Sequence, residues 1–229
     1  MTELLPCIEI NPTQPPVGSI IWLHGLGADG HDFVSIVSEL NLPLRFVFPH
    51  APMMPVTINN GYVMRAWYDI ISLNADRHAD QLGIEASAEK LRALVAREEE
   101  LGFPTEKIIL AGFSQGAVIA LTTALTFPKT LGGVLALSGY LSQAEKIMSI
   151  ATVANQKTPI FLGHGKEDSI VPHLLGEQLY YLLETHQYSV SWHSYAMAHS
   201  VCMEEIQDIA GWLRKIFIEK AGIEKLEGE

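Results

Sequence analysis

The sequence ILAGFSQGA, residues 109–117, joins an apolar strand-like run to an apolar helical run through a serine. The strand-like part ends at Gly112 and Phe113, Ser114 follows, and the chain then continues as QGAVIALTTALTF. A G-x-S-x-G motif between a strand and a helix is a nucleophile elbow, which exposes the serine hydroxyl above the carboxyl edge of a parallel sheet. The motif therefore predicts a nucleophile at Ser114. A turn of small residues that serves only packing is the alternative interpretation.

The acid that would accompany this serine is predicted from chain order. A serine hydroxyl is a weak nucleophile until a base removes its proton, and around this motif the acid and then the histidine follow the serine. Two aspartates, Asp168 and Asp208, come after Ser114, and no histidine follows Asp208. Asp168 comes directly after the strand-like TPIFLGHG, where functional loops gather. We predict Asp168 as the acid, with the adjacent Glu167 as a competitor.

The histidine is selected by its place between predicted elements. His199 lies in AMAHSV, between the last predicted strand and the last predicted helix, at the same sheet edge as the serine. The other histidines beyond Asp168 are less suitable, because one opens a helix nearby, one ends that helix and one lies inside a strand. These are His173, His186 and His193. We therefore predict His199 as the base.

An oxyanion hole requires two backbone N–H groups that converge on one point. The amide of Gln115, the residue after the predicted nucleophile, supplies one of them. The glycine-rich turn WLHGLGADG, residues 22–30, comes after an early strand and supplies the amide of Leu26. A glycine-rich turn without a special role is the alternative interpretation.

The order of the elements predicts the fold class. Strands and helices alternate almost throughout, and several strands are apolar on both faces, which indicates an α/β protein with a mostly parallel central sheet and helices on both faces. We expect one domain over 1–229, with an entry segment at 1–17 and a polar tail at 221–229. Residues 53–80 predict a long irregular loop near the site. No large insertion follows LALSGYL, so no large cap domain is expected.

Composition excludes several classes of function. A formal net charge of -11 disfavours nucleic acid as a partner. Cys7 and Cys202 form no CxxC pair or zinc cluster, so we expect reduced thiols in a cytoplasmic protein. No signal peptide is recognised, and no stretch reaches the roughly 18 apolar residues of a membrane span. We expect no metal and no organic cofactor.

Several ordered motifs together resemble the acyl-protein thioesterase / lysophospholipase / small carboxylesterase family of α/β-hydrolases. They extend from about Gly18 to about Phe217, and in order they are WLHGLG, PHAP, WYDI, GFSQGA, HGKEDSIVP and AHSV. The resemblance implies the α/β-hydrolase fold, and it implies a catalytic triad and an oxyanion hole at the residues predicted above.

The resemblance also implies a channel for an acyl chain beside the serine. The positions that match its lining are Leu26, Ile71, Tyr140 and Ile170. Trp67 and Asp69 match a segment that shapes the site, so Trp67 is included among the substrate-binding residues.

The chain departs from the family pattern at a few positions. Relatives often carry glycine where Ala117, Ala196 and Ala198 stand, and aspartate where Lys166 stands. None of these residues is a predicted catalytic group, so we expect the departures to affect the wall of the site and thus the substrate preference.

The expected activity is hydrolysis of carboxylic esters or thioesters through an acyl-enzyme, with small to medium or long acyl chains. The acyl group could be carried by a lipid or by a protein. A lysophospholipase that acts on phospholipid-derived esters is an open alternative, and a non-catalytic α/β-hydrolase that serves as a binding module is a remote one. A homodimer contact through the SGYL or HGLG surface is compatible with catalysis.

Overall fold

The computed structural model describes residues 4–71 and 80–219, without the side chains of 218 and 219. The polar tail predicted at 221–229 lies outside the described residues. The strands in these ranges are β1 (Cys7–Ile10), β2 (Ser19–Leu23), β3 (Arg45–Pro49), β4 (Met53–Val56), β5 (Tyr62–Arg65), β6 (Ile108–Phe113), β7 (Gly133–Leu137), β8 (Ile160–Gly165) and β9 (Val190–Tyr195). The α-helices are α1 (Ile36–Leu40), α2 (Gln81–Glu100), α3 (Gln115–Leu125), α4 (Ala144–Ile150), α5 (His173–Thr185) and α6 (Met203–Arg214).

The central sheet is mostly parallel, as predicted. Its seven strands lie in the order β1-β3-β2-β6-β7-β8-β9. Strand β1 pairs antiparallel with β3, and the other neighbours pair in parallel. The carboxyl ends of β2, β6, β8 and β9 consequently meet at one edge of the sheet, and this edge carries every predicted catalytic residue.

Helices cover both faces of the sheet, and each face has its own apolar core. Helices α2, α3, α4 and α5 contribute to one core, together with side chains such as Ile21, Leu110 and Leu162. Helices α1 and α6 contribute to the other core, together with Trp22 and Phe161. Successive side chains of the buried strands point to opposite faces of the sheet and pack into different cores. This explains why these strands are apolar on both faces. The predicted α/β class, with a mostly parallel sheet between two layers of helices, is confirmed.

A buried ion network joins helix α2 to the amino edge of the sheet. Arg45 Nε donates to Glu98 Oε2 over 2.8 Å, and Arg45 Nη2 donates to Glu9 Oε2 over 2.6 Å. Ser19 Oγ also donates to Glu98 Oε2, over 2.7 Å. The network attaches β1 to the sheet at the end opposite the predicted site.

Two segments differ from the sequence prediction. The predicted entry segment 1–17 contains the short edge strand β1, which pairs with β3. Residues 53–65, predicted as irregular, form an antiparallel ribbon of β4 and β5. The ribbon turns at Asn60 and Gly61, both of which have positive φ, and a turn of this kind is typical of hairpins. The segment 72–79 of the predicted loop lies outside the described residues.

Within 4–71 and 80–219, no helix combines the length and the apolar content that crossing a membrane requires.

Candidate active site

Ser114 stands at the sharp corner between β6 and α3. Its backbone has φ 55° and ψ −118°, a conformation that is strained for a residue with a side chain. Its N–H donates to the carbonyl of Leu137 over 2.9 Å, so the residue still continues the ladder to β7. The helix begins at the next residue, Gln115. This is the geometry of a nucleophile elbow.

The glycines of the motif are required by close approach of the backbone. A Cβ on Gly112 would lie 2.2 Å from the carbonyl carbon of Gly116, inside the corner itself. A Cβ on Gly116 would lie 2.3 Å from the carbonyl oxygen of Leu23 in β2. The two glycines therefore allow the start of α3 to pack directly against the central strands.

His199 and Asp168 form a hydrogen-bonded pair. The distance from His199 Nδ1 to Asp168 Oδ2 is 2.7 Å. The other carboxylate oxygen, Asp168 Oδ1, accepts the amides of Ile170 at 2.9 Å and Val171 at 2.8 Å. The Asp168 side chain is fully buried. Backbone donors thus hold one oxygen of the carboxylate while the other oxygen faces the imidazole.

The loops that carry these two residues are joined to each other by main-chain hydrogen bonds. The amide of Lys166 donates to Tyr195 O over 2.8 Å, and the amide of Glu167 donates to Met197 O over 3.0 Å. A Cβ on Gly165 would lie 2.3 Å from the same Met197 oxygen. The glycine of the HG pair is therefore needed for the acid loop and the histidine loop to lie side by side.

The serine and the histidine line the same cavity, which has a volume of about 280 Å³. The His199 ring packs against the ring of Phe113, the residue before Ser114, with 4.7 Å between centroids. Asp168 lies behind the histidine, out of contact with the cavity space. The Ser114 hydroxyl and the His199 imidazole thus share one cavity, and the Asp168 carboxylate bonds to the imidazole.

The predicted wall residues divide into two groups. Leu26, Tyr140 and Ile170 line the cavity. Trp67 and Ile71 are not among its lining residues; Trp67 is buried, and Ile71 is exposed. Residues that the sequence analysis did not select also line the cavity, and they include Asp32, Tyr68, Ile70, Phe113 and Val171.

Trp67 and Asp69 take part in the scaffold of the site. The Trp67 indole N–H donates to His24 O over 2.8 Å, which ties the segment after β5 to the end of β2. The Asp69 carboxylate accepts the Thr57 amide over 2.7 Å, at the turn after β4. The neighbours Tyr68 and Ile70 therefore face the cavity, while Trp67 faces the protein interior.

The loop after β2 is oriented by a buried histidine. His24 Nδ1 lies 2.7 Å from Gly25 O, and His24 Nε2 accepts the Ala51 amide over 3.0 Å. Because a carbonyl oxygen only accepts, Nδ1 carries the hydrogen, and burial lowers the pKa of His24 to about 4. In a trans peptide the C=O and N–H point in opposite directions, so fixing Gly25 O also fixes the direction of the Leu26 N–H.

The side chain of Gln115 anchors the segment on the other side of the serine. Gln115 Oε1 accepts the Trp67 amide over 3.0 Å, and Gln115 Nε2 donates to Tyr68 O over 2.8 Å. These two bonds hold the residue after Ser114 in place, so the predicted oxyanion amides of Leu26 and Gln115 both belong to immobilised backbone.

One group of side chains among the described residues could approach a metal ion. Ligand atoms of Asp29, His31 and His50 lie within 4.8 Å of one another. His50 Nδ1 already accepts the Gly30 amide over 3.1 Å, and Asp29 Oδ1 already pairs with His31 Nδ1 over 3.0 Å. These mutual contacts satisfy the group without an ion, and none of the three residues lines the cavity of Ser114.

Comparison with known proteins gives the same fold and related sequences. Acyl-protein thioesterase 1 of Yarrowia lipolytica is 36% identical over 219 residues, which cover 92% of this chain and 96% of the relative. Acyl-protein thioesterase 1 of Debaryomyces hansenii is 37% identical over 226 residues, covering 93% and 97%.

Solved structures agree with this similarity. The crystal structure of Arabidopsis thaliana SOBER1 matches with a TM-score of 0.83 and 30% identity, covering 87% of this chain and 98% of that one. Zea mays acyl-protein thioesterase 2 matches with a TM-score of 0.82 and 28% identity, covering 93% and 99%. A model of the phospholipase/carboxylesterase family matches residues 7–217, a span that includes both cores and every predicted site residue. The chain belongs to the phospholipase/carboxylesterase family.

Proposed function

We propose that the protein is a serine hydrolase that cleaves carboxylic esters or thioesters through an acyl-enzyme. The observation that carries this proposal is the 2.7 Å contact between His199 Nδ1 and Asp168 Oδ2, beside a cavity that Ser114 and His199 line together. The strained serine corner and the similarity to thioesterases and esterases support the same conclusion.

The roles of the three residues follow from the tautomer of the histidine. The Asp168 carboxylate accepts a hydrogen bond from Nδ1, so Nδ1 carries the hydrogen and Nε2 has the free lone pair. His199 Nε2 takes the proton of Ser114 as Oγ attacks the acyl carbon, and it returns that proton to the leaving alcohol or thiol. Water then attacks the acyl-enzyme with His199 as its base, and the carboxylic acid is released.

The developing oxyanion requires donors that are already in position. The proposed donors are the amides of Leu26 and Gln115. The first is oriented through the bond from His24 to Gly25 O, and the second sits at the immobilised start of α3. Donors that need no reorganisation typically contribute two to three orders of magnitude in kcat each, roughly 10²–10³.

The substrate class is proposed from the cavity wall. Leu26, Ile70, Tyr140 and Ile170 give it an apolar side suited to an acyl chain, and burial of apolar surface contributes roughly 25 cal/mol per Å². Asp32 also lines the cavity and brings a carboxylate to it. A negative wall favours neutral or cationic leaving groups over anionic ones. We therefore place neutral esters and thioesters, including those of acylated proteins, ahead of lysophospholipids.

The test uses an acyl-chain series offered as matched oxygen esters and thioesters, together with a fluorophosphonate probe. We expect turnover and probe labelling in the wild-type protein, and loss of both in Ser114→Ala. Ser200→Ala, a change at an exposed residue beside His199, is the matched control and should keep both. Retained turnover in Ser114→Ala would refute the proposed nucleophile, and an unlabelled, inactive wild-type protein would favour the binding-module interpretation.

Three further predictions accompany the proposal. The chain is proposed to be one domain, and the protein is proposed to be cytoplasmic. A homodimer is proposed to be compatible with catalysis, but Ser138 and Tyr140 are buried, so the predicted SGYL surface is not an exposed contact. Gel filtration with light scattering tests the oligomeric state directly.

A further inference from the structure

A second histidine lies beside the proposed catalytic acid. His164 is the penultimate residue of β8, and it is almost completely buried. Its Nε2 lies 2.8 Å from the carbonyl oxygen of Val171, in the turn that follows Asp168. A carbonyl oxygen only accepts, so Nε2 carries a hydrogen and donates it. Burial lowers the pKa of His164, which keeps the ring neutral with Nδ1 unprotonated.

The same Nε2 also faces the Asp168 carboxylate. It lies 3.4 Å from Oδ2, the oxygen that meets His199 Nδ1 at 2.7 Å. The hydrogen on Nε2 is donated to Val171 O and forms no hydrogen bond with Oδ2, but the positive end of this N–H bond lies near that carboxylate oxygen. Oδ1 is already engaged by two backbone amides, so His164 acts on the oxygen through which the acid reaches the base.

Packing holds the His164 ring in this position. A Cβ on Gly176 of α5 would lie 2.5 Å from His164 Nδ1, so the helix backbone rests directly on the ring. The Trp192 ring lies 6.0 Å away between centroids. With these neighbours the ring has no room to swing away from the acid loop.

The titratable groups that face His164 come from three elements. They are Asp168 from the loop after β8, His173 from α5 and His199 from the loop after β9. His173 meets the His164 ring edge-on at 5.7 Å, and its Nε2 lies 2.7 Å from Ser194 Oγ. His173 is therefore a ring neighbour of His164 that bonds elsewhere, which makes it a suitable control position.

We propose that His164 is a positioning residue of this site, which holds the turn of Asp168 through Val171 O and tempers the negative charge on the carboxylate oxygen that pairs with His199. The proposal rests on the proposed function, because it assumes that His199 must be neutral to accept the proton of Ser114. His164 touches neither substrate nor reacting atoms.

Loss of the His164 N–H should shift the pH profile in a defined direction. Without the positive end of the His164 N–H bond nearby, the Asp168 carboxylate attracts a protonated His199 more strongly. The base is then neutral only at higher pH, so the acidic limb of the kcat/KM profile moves upward. If His164 only filled space, its loss would let the Asp168 carboxylate move away from the His199 imidazole. The acidic limb of the kcat/KM profile would then move to lower pH, and kcat would fall. The two roles give shifts of opposite sign.

The experiment measures kcat/KM against pH for wild type, His164→Phe, His164→Gln and His173→Phe. We expect His164→Phe, which keeps a ring but has no donor, to move the acidic limb up by roughly half a pH unit with little change in KM. His164→Gln retains an N–H in a similar place and should leave the limb near its wild-type position. His173→Phe should leave it unmoved.

A limb that moves downward or stays in place in folded His164→Phe would overturn the inference. Should His164→Phe fail to fold, His164→Asn, whose amide is too short to reach Oδ2, carries the same expectation. A wild-type protein without activity on any ester or thioester would instead count against the proposed function, so the two failures are separate.

Discussion

Asp168 reaches His199 with Oδ2 while its Oδ1 is occupied by the amides of Ile170 and Val171. The carboxylate therefore has one orientation, and that orientation selects the imidazole tautomer with hydrogen on Nδ1. In Asp168→Asn the amide would favour the other tautomer. We expect kcat to fall by a factor on the order of 10³–10⁴, with KM changed little. Steady-state kinetics on a neutral ester measures this.

Glu167 provides the matched control for that change. It is exposed and adjacent, and its amide rather than its carboxylate contacts the histidine loop. Glu167→Gln should retain wild-type kcat. A large loss in Glu167→Gln together with a small loss in Asp168→Asn would reverse the assignment of the acid.

Asp32 on the cavity wall predicts charge selectivity toward the substrate. Asp32→Asn should raise kcat/KM for an ester with an anionic leaving group by roughly fivefold relative to a neutral one, the scale of a single interaction between solvated charges. The difference should shrink at high salt. The assay compares neutral, phosphate-bearing and trimethylammonium-bearing esters of one acyl chain.

Asp29→Asn is the control for charge alone, since Asp29 lies on the same loop and does not line the cavity. It should leave the ratio of anionic to neutral turnover unchanged. Equal effects of Asp29→Asn and Asp32→Asn would mean that the net charge of the protein, and not the Asp32 carboxylate in the cavity, determines the preference for neutral over anionic esters.

Glu205 on α6 predicts a loss of stability at alkaline pH. It is fully buried, and neither carboxylate oxygen has a hydrogen-bond partner among the described residues. Burial, with Asp208 as a second cause, raises its pKa from 4.5 to about 8. The folded protein keeps this proton where the unfolded chain has lost it, so the free energy of unfolding declines as pH rises from about 4.5 to about 8.

Glu205→Gln should therefore match wild type near pH 5 and exceed it near pH 9, by up to about 5 kcal/mol. Urea unfolding at the two pH values measures the difference. The exposed neighbour Glu204 supplies the control, because Glu204→Gln should show no such pH dependence. A gain from Glu205→Gln that is equal at both pH values would contradict the prediction.

Ala117 and Gly139 predict an energetic coupling. A Cβ on Gly139 would lie 2.6 Å from the Cβ of Ala117. The next nearest atoms, also of Ala117, would lie at an ordinary van der Waals distance of 3.8 Å. Gly139→Ala should cost about 1–3 kcal/mol through overpacking. In an Ala117→Gly background the methyl groups no longer collide, so the double variant should lose less than the sum of the single changes. Additive losses in urea unfolding would show that the two sites are independent.

The sequence predicted the parts of the molecule that depend on order and periodicity. Alternation of elements predicted a parallel sheet, and parallel strands bring their carboxyl ends to one edge, so the loops of Ser114, Asp168 and His199 were expected to meet there. The structure places His199 beside Asp168 and on the same cavity as Ser114.

Positions in irregular segments could not be predicted in the same way. Without a period, nothing in WYDI indicates which of Trp67 and Tyr68 faces the cavity, and the bond from the Trp67 indole to His24 O decides it. The ribbon around Gly61 was missed because Pro55 and exposed apolar residues obscure its alternation, although the Asn-Asn-Gly turn was a usable signal. Nothing in the sequence indicated a role for His164 at the site, because the HG pair is equally typical of the end of a strand.

Lys166 and Glu167 contact the histidine loop through their backbone amides, and their side chains are exposed to solvent. A reporter dye attached at residue 166 would be linked to the backbone that joins the two loops. It would not contact the proposed catalytic residues. A change in its signal during turnover would show whether the two loops separate, independently of bond cleavage.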